Sequence, residues 1–455
     1  MAYFRDEMLT IGTIFALAIG NDPDKHRKIE QAIRLGDANR PNAAPKSGIA
    51  GLAAFVVACL AVPSPALAAE SKPKTPIDLF LPEEAPGVHL SPGLVLKASA
   101  DAAVEYDSNI YNIRSNVRSD TVGIFMPELT VATDWARHSL ALIGSAEIRR
   151  YFDTTPENSN QWAIKGVGTF DLGSRASLFV EGGLADLIER RGTSGDTFFT
   201  DRPISYRQRR LKVELSRSGG IMGLSIGGTI SKLTYSDATL QGVPIDLSYR
   251  DVVQREGHVR SDFDVGAKLS VYAIVSGNQV DYSRNIGVSR NSSGYSVLGG
   301  VRYQVNALVD VEGAAGYIHQ TFDDHNAQSV GAANFHLAAN WTPTPRWKLT
   351  ASAGKSVDPS PLSNVPAVVR TSFDLRAQYA FSDKVLVEAH GAHVVDDYRG
   401  FTGSDKRTGV DASIKYRLSG HLVASVHAGY RDGQRAIEPG HYHGFNVGLT
   451  LGAAL

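Results

Sequence analysis

One pattern repeats along most of this chain and restricts what it can fold into. From Leu94 to Leu455, runs of roughly ten to sixteen residues alternate apolar and polar side chains. Each run ends at a break rich in Gly, Asp, Asn, Ser or Pro. Successive side chains of a β-strand point to opposite faces of its sheet, so a period of two gives every strand one apolar and one polar face. The sequence therefore predicts an all-β protein.

The segment 372–381 shows the alternation. Its apolar residues are Phe373, Leu375, Ala377, Tyr379 and Phe381, and its polar residues are Ser372, Asp374, Arg376 and Gln378. About eighteen such segments follow one another, and no long segment with a helical period lies among them. Their predicted centres lie, to within about four residues, near 100, 127, 145, 165, 182, 211, 228, 255, 273, 299, 315, 335, 351, 374, 391, 411, 428 and 448.

The breaks between the segments alternate in length. Short turns, such as 171–174, 342–345 and 418–421, alternate with longer polar loops, such as 190–203 and 431–440. Outer-membrane barrels have an even number of strands, short periplasmic turns and longer extracellular loops. We therefore predict a transmembrane up-and-down antiparallel β-barrel of about 18 strands, with short periplasmic turns and longer extracellular loops.

The composition agrees with such a barrel. Hydrophobic residues make up 43% of the chain and charged residues 20%, and the mean hydropathy is -0.14. A membrane barrel can have this low value because only every second side chain of a strand faces lipid. The formal net charge is -1, so the chain has no basic excess that would favour nucleic acid as a partner.

A secretion signal precedes the alternating region. Two basic residues, Arg40 and Lys46, precede the apolar run 49–62, which is followed by the small-residue site Ala66-Leu67-Ala68. This order of a positive region, an apolar region and a cleavage site is typical of a signal peptide, which we assign to residues 46–69. A membrane anchor is the alternative, but the apolar run is short for a span.

The single cysteine, Cys59, lies inside this predicted signal peptide, so the mature chain would contain no thiol and no disulfide. A lipoprotein cleavage site at Cys59 is a second alternative.

Residues 1–45 form an atypical N-terminal extension, which is either the product of a start codon placed too early or part of an extended signal peptide. Residues 70–92 contain five prolines and are predicted to be a periplasmic linker, and 93–455 are predicted to be the barrel.

The polar faces of the strands are predicted to line the lumen. Their mixed signs favour a hydrated channel for neutral or polyhydroxylated solutes, because an ion-selective pore would carry rings of one sign. Alternatively, the same charges form cross-strand ion pairs that only satisfy the polar interior. The lumen-lining candidates are Glu147, Arg149, Lys165, Arg210, Lys212, Glu214, Glu256, His258, Arg260, Lys268, Arg302, Asp310, Glu312, Asp374, Arg376, Glu388, Lys415 and Arg417.

The densest basic cluster is Tyr206-Arg207-Gln208-Arg209-Arg210, with Arg190, Arg191 and Arg202 nearby. It could bind an acidic polysaccharide or the phosphates of lipopolysaccharide. The alternative is that basic residues at the loop bases simply contact the anionic outer leaflet. The loop from Arg190 to Pro203 could also fold inward and plug the lumen.

No pattern in the chain predicts an enzyme. The pairs His441/His443 and Asp396/Asp397 and the triplet Asp323-Asp324-His325 are predicted to lie on surface loops that close no metal site. There is no nucleophile elbow and no phosphate-binding glycine loop in the sequence. We therefore predict no catalytic, cofactor-binding or metal-binding residues and no cofactor.

The first strand ends in Val104-Glu105-Tyr106-Asp107-Ser108-Asn109-Ile110-Tyr111. Its Tyr-Asp-x-Asn motif, followed by repeated long strands, resembles the putative β-barrel porin 2 family of Gram-negative outer-membrane proteins, and the pattern covers most of residues 90–455. The resemblance implies a bacterial outer-membrane channel that assists export of exopolysaccharide or capsule.

Two other functions stay open at this point. One is a general or nutrient-diffusion porin, and the other is a structural or surface-interaction barrel without transport. The expected partners are outer-membrane lipid and lipopolysaccharide, the barrel-assembly machinery and polysaccharide export proteins.

Overall fold

A computed structural model describes six parts of the chain, which are 75–80, 87–196, 200–287, 289–325, 327–436 and 440–455. The N-terminal extension 1–45 and the predicted signal peptide 46–69 lie outside the described residues. In the described parts, no helix is both long enough and apolar enough to cross a membrane.

Antiparallel strands make up most of these parts. A short strand, β1 (Val88–Ser91), comes first, followed by β2 (Leu94–Asp107), β3 (Asp120–Thr133), β4 (His138–Tyr151), β5 (Ser159–Asp171), β6 (Ala176–Ile188), β7 (Ser205–Arg217) and β8 (Met222–Tyr235). A small hairpin of β9 (Ala238–Leu240) and β10 (Val243–Ile245) follows. The remaining strands are β11 (Val252–Asp264), β12 (Leu269–Tyr282), β13 (Ser292–Asn306), β14 (Val309–Phe322), β15 (Val330–Trp341), β16 (Trp347–Pro359), β17 (Ala367–Ser382), β18 (Val385–Tyr398), β19 (Ser404–Arg417), β20 (Leu422–Gln434) and β21 (His441–Ala454). Short 3₁₀ helices lie at Asp78–Phe80, Thr155–Glu157 and Ser248–Arg250.

Strands β2–β8 and β11–β21 form a closed barrel of eighteen strands within the described chain. Each strand pairs with the next, and β8 pairs with β11 across the small hairpin. The first strand, β2, pairs antiparallel with the last, β21, from Ser99 opposite Ala454 to Asp107 opposite Asn446. The midpoints of all these strands lie within about four residues of the predicted centres, so the predicted fold is confirmed.

Burial alternates along the strands as the sequence pattern predicts. In β19, Val410 and Ile414 are each 56% exposed, whereas Asp411 and Lys415 on the opposite face are 5% and 2% exposed. Large apolar side chains therefore cover the outside of the barrel and polar side chains face the inside. This is the reverse of a water-soluble barrel and suits a lipid surround.

The two ends of the barrel differ in the length of their connections. At one end, which we call the turn end, the connections are short, as at 172–175, 218–221 and 418–421. At the other, the loop end, they include the long segments 108–119 and 189–204. The predicted alternation of short turns and long loops is thus confirmed.

Candidate functional site: the lumen and its inward loop

The lumen-lining candidates lie on the inner face of the barrel, with two exceptions. Arg417 lies at the rim of the turn end, where its Nε donates to the carbonyl of Asp383 at 3.0 Å. Lys268 lies in the turn 265–268 and is exposed, and its Nζ donates to the carbonyl of Val305 at 3.3 Å. The placement of Lys268 on the lumen face was therefore wrong, because the strand alternation stops at Asp264.

Ion pairs between neighbouring strands neutralise much of the charge on the inner face. Lys165 on β5 lies 3.3 Å from Glu181 on β6, and Arg302 on β13 lies 2.7 Å from Glu312 on β14. Further pairs between neighbouring strands are Arg210–Glu181, His390–Asp374 and Lys415–Glu388, and the pairs Arg149–Glu147, Lys212–Glu214 and Arg260–Asp262 each lie within one strand. The inner face is therefore charged but close to neutral over short distances, which does not favour ions of either sign.

In the connection between β6 and β7 (189–204), residues 189–196 fold into the lumen, and we call them the inward loop. Gly192 adopts a φ of +80°, a left-handed conformation that glycine adopts without strain. The bend is closed by hydrogen bonds from the Thr193 N–H to the Arg190 carbonyl at 3.2 Å and from the Gly192 N–H to the Asp196 carboxylate at 2.8 Å. The loop therefore contains a tight turn that is stabilised by its own hydrogen bonds.

Several contacts fix the inward loop to the part of the wall next to its origin. Arg191 makes a bidentate ion pair with Glu157, with Nε–Oε2 and Nη2–Oε1 distances of 3.0 and 2.7 Å. Arg190 pairs with Glu147 on β4. The Asn112 amide donates to the Arg191 carbonyl at 2.8 Å, and Arg250 donates to the Gly195 carbonyl at 3.1 Å. Three other loop-end segments thus hold this loop in place.

The tip of the inward loop reaches the opposite wall. Arg370 on β17 donates to the Ser194 hydroxyl at 3.2 Å, although the two residues are 176 positions apart. The loop leaves the barrel after β6, the fifth barrel strand, and β17 is the fourteenth, so half of the eighteen-strand ring separates them. Arg435, which follows β20, also donates to the Asp196 carbonyl. The inward loop therefore spans the lumen near the loop end.

A buried charge network positions Arg370 for this contact. Asp396 on β18 accepts hydrogen bonds from Arg370 at 2.6 and 2.9 Å, and it also pairs with Arg407 on β19. Asp405 accepts from Arg407 at 3.3 Å and from the Tyr398 hydroxyl at 2.8 Å. The prediction that Asp396 lies on a surface loop was wrong, because the alternation of β18 continues through it to Tyr398 and directs it into the lumen.

Arg290, in the connection between β12 and β13, bonds to two other loop-end segments, and no sequence pattern identified it. Its guanidinium donates to the carbonyls of Ser360 at 3.1 Å and Leu362 at 3.3 Å, and to the carbonyl of Tyr249. It also lies 3.8 Å from the ring centroid of Tyr282, a distance typical of a cation–π contact. No local sequence signal marks this arginine, since its partners lie up to 72 positions away.

Cavities lie on both sides of the inward loop. The larger, of about 420 Å³, lies toward the wall formed by β7 to β17. Tyrosines and amides contribute to its lining, including Tyr206, Tyr235, Tyr282, Gln320 and Asn334. The smaller, of about 80 Å³, lies toward β4, β20 and β21, and both cavities are bordered by Glu189 and Arg190 of the loop. The inward loop thus divides the lumen near the loop end.

The structure separates the basic cluster that stands out in the sequence. Gln208 and Arg210 face the lumen, whereas Arg207 and Arg209 are exposed on the outside of β7. Arg207 pairs there with Asp186 at 2.8 Å. Arg209 lies opposite Lys232 of β8 in the strand register, and Lys232 is also exposed on the outer surface. The cluster therefore contributes to two different surfaces.

In the described residues, no group of three or more His, Cys, Asp or Glu side chains is arranged to hold a metal ion. His441 begins β21 and is exposed, so it lies at the loop-end rim. Asp323 and Asp324 lie in the connection between β14 and β15.

Comparison with known proteins gives one family match. Residues 92–454 match the family model described as Putative beta-barrel porin 2. No curated protein matches the sequence.

Solved structures show low similarity to this chain. The FrpB iron transporter from Neisseria meningitidis (F3-3 variant) has 9% identity and a TM-score of 0.44, with 76% of this chain and 62% of that chain covered. OccAB4 from Acinetobacter baumannii has 8% identity and a TM-score of 0.43, with coverages of 80% and 98%. OpdO from Pseudomonas aeruginosa has 11% identity and a TM-score of 0.42, with coverages of 80% and 97%.

Acid is expected to loosen the inward loop. Burial raises the pKa of Glu157, and the neighbouring Arg191 only partly offsets this effect. As the pH falls, Glu157 therefore takes up a proton at a higher pH than an ordinary glutamate, and its ion pair with Arg191 is lost. We expect channel openings in planar bilayers to become more frequent as the pH is lowered from about 7 to about 4.

The matched control is Glu157→Gln, which is neutral at every pH. This variant should open more often than the parent at neutral pH and should respond less to acid. An acid response of equal size in both proteins would show that Glu157 is not the group that titrates.

Proposed function

The chain belongs to the Putative beta-barrel porin 2 family, and we propose that it is a non-enzymatic channel that assists export of an exopolysaccharide or capsule. As an outer-membrane β-barrel porin of Gram-negative type, it places its turn end in the periplasm and its loop end outside the cell.

The inward loop is the observation that carries the proposal. A general diffusion porin needs a lumen that is open at all times, whereas here a loop crosses the lumen and is tied to both walls. Truncating one partner of a buried ion pair such as Arg191–Glu157 costs about 3–5 kcal/mol. A loop fixed in this way suits a channel that opens only when its cargo is being exported.

The lining of the lumen supports a polyhydroxylated cargo. Local pairing of opposite charges removes strong selectivity for either ion sign. Tyrosine rings and side-chain amides in the larger cavity, such as Tyr235 and Gln320, combine apolar faces with hydrogen-bonding groups. A sugar chain has both apolar ring faces and hydroxyl groups, so it can use both kinds of contact.

A nutrient-diffusion porin is the second candidate. The larger cavity, at about 420 Å³, has the size of a site for one small molecule and not for a long chain. Uptake of a single hydrophilic solute would use such a site without large movements of the inward loop.

Lipopolysaccharide is a proposed partner of the outer surface. Arg209 and Lys232 lie opposite each other on the outer face of adjacent strands near the loop end. Like charges directly opposite each other are unfavourable unless an anion lies between them. We therefore propose that this pair contacts lipid phosphate, and we include the barrel-assembly machinery and polysaccharide export proteins as proposed partners.

If Arg209 and Lys232 contact lipid phosphate, lipid A should stabilise the variant Arg209→Gln/Lys232→Gln less than the parent. Bisphosphorylated lipid A should raise the melting temperature of the parent barrel and raise that of the variant less. The control is Arg255→Gln, since Arg255 is also exposed and already pairs with Asp281. Equal stabilisation of parent and double variant would exclude the contact.

Removing the inward loop should open the channel. Replacing residues 191–201 with Gly-Gly deletes the contacts to Glu157 and Arg370 while leaving the barrel strands intact. We expect an increase in single-channel conductance in planar bilayers relative to the parent. A parent that already shows large, constant conductance would favour the general porin.

The export role is tested in cells. Deleting the gene should lower the amount of secreted polysaccharide, and the intact gene supplied in trans should restore it. Unchanged secretion in the deletion strain would remove the export proposal, and impaired growth on a single small solute would then favour nutrient uptake.

A further inference from the structure

A short segment that precedes the barrel lies against the lumen wall at the turn end. Ile77 and Phe80 are 4% and 2% exposed and form one apolar cluster with Ala380 of β17 and Leu386 of β18. Leu79 of the segment and Val423 of β20 pack against the same cluster. Part of the predicted linker therefore lies inside the lumen at the turn end.

The wall at this place is apolar, although the next inward-facing residue on each of the same strands is polar. Ala380 follows Gln378 along the inner face of β17, and Leu386 precedes Glu388 along that of β18. Uncovered apolar side chains in a water-filled lumen would be unfavourable, so such a patch is expected to have a cover. Ile77 and Phe80 supply it from within the same chain.

The segment is organised by its own hydrogen bonds. The Thr75 N–H donates to the Asp78 carboxylate at 2.7 Å, and the Asp78 N–H donates to the Thr75 carbonyl at 3.0 Å. The Phe80 N–H donates to the Ile77 carbonyl at 3.1 Å. The cluster with the wall is formed by apolar side chains. Since the segment takes no part in the strand pairing of the described chain, it can leave the wall without breaking the strand ladder.

We propose that residues 75–80 form a stopper that closes part of the lumen at its periplasmic end and is displaced when the channel conducts. The stopper rests on the proposed conducting function, and it adds a second closure in series with the inward loop. The two closures lie at opposite ends of the barrel, so removing the inward loop alone should give only part of the full conductance.

The test uses the accessibility of the wall that the stopper covers. In a Cys59→Ser background, Ala380→Cys introduces a single thiol, which a water-soluble maleimide should label slowly. Adding Ile77→Asn and Phe80→Asn should speed labelling by about tenfold or more, because each substitution removes the favourable burial of a large apolar side chain. The control pair Ile77→Val and Phe80→Leu keeps the contacts apolar and should label slowly, like the parent.

Conductance measurements distinguish failure of the stopper proposal from failure of the proposed conducting function. In the background that lacks the inward loop, the asparagine pair should increase conductance further and the conservative pair should not. Equal labelling rates in the parent and the asparagine pair would overturn the stopper. Faster labelling without current in any variant would show that the segment covers the wall, but it would overturn the conducting function and the displacement of the stopper during conduction. The heat-dependent gel shift of a folded barrel checks that each variant is assembled.

Discussion

The closed hydrogen-bond ladder between β2 and β21 is the constraint on which the rest of the structure depends. A bilayer offers no water to backbone N–H and C=O groups, so a sheet that spans it must satisfy these groups internally and must have no open edge. Closure in turn directs every second side chain into the lumen. The inner charges therefore need partners near at hand, and pairs such as Lys165–Glu181 and Arg302–Glu312 supply them across adjacent strands.

The sequence is sufficient to predict the barrel because the period-two pattern is local. A strand such as β19 shows its two faces within fourteen residues, and the breaks show its ends without reference to any distant residue. The same local pattern places Lys415 and Glu388 on the inner face. It fails where a strand continues into sequence as polar as a loop, as at Asp396, because charge alone does not distinguish a loop from an inward-facing strand end.

The closures of the lumen are not predictable from local sequence in the same way. The contact of Ser194 with Arg370 joins residues 176 positions apart, and that of Asp196 with Arg435 joins residues 239 positions apart. The length of the loop from Arg190 to Pro203 permits an inward fold but does not specify its target. The packing of Phe80 on Leu386 is equally nonlocal, and proline content gave no indication of it. These contacts depend on the three-dimensional arrangement of the closed barrel.

The closures at the two ends depend on different physical interactions. Ion pairs and hydrogen bonds hold the inward loop, so protonation of Glu157 weakens it. Apolar contacts hold the stopper, and protonation of a carboxylate changes the burial of Ile77 and Phe80 little. A change in external pH can therefore release one closure and leave the other in place. An outer-membrane barrel with a wide lumen gains from this separation, because no single condition releases both closures and gives the full conductance.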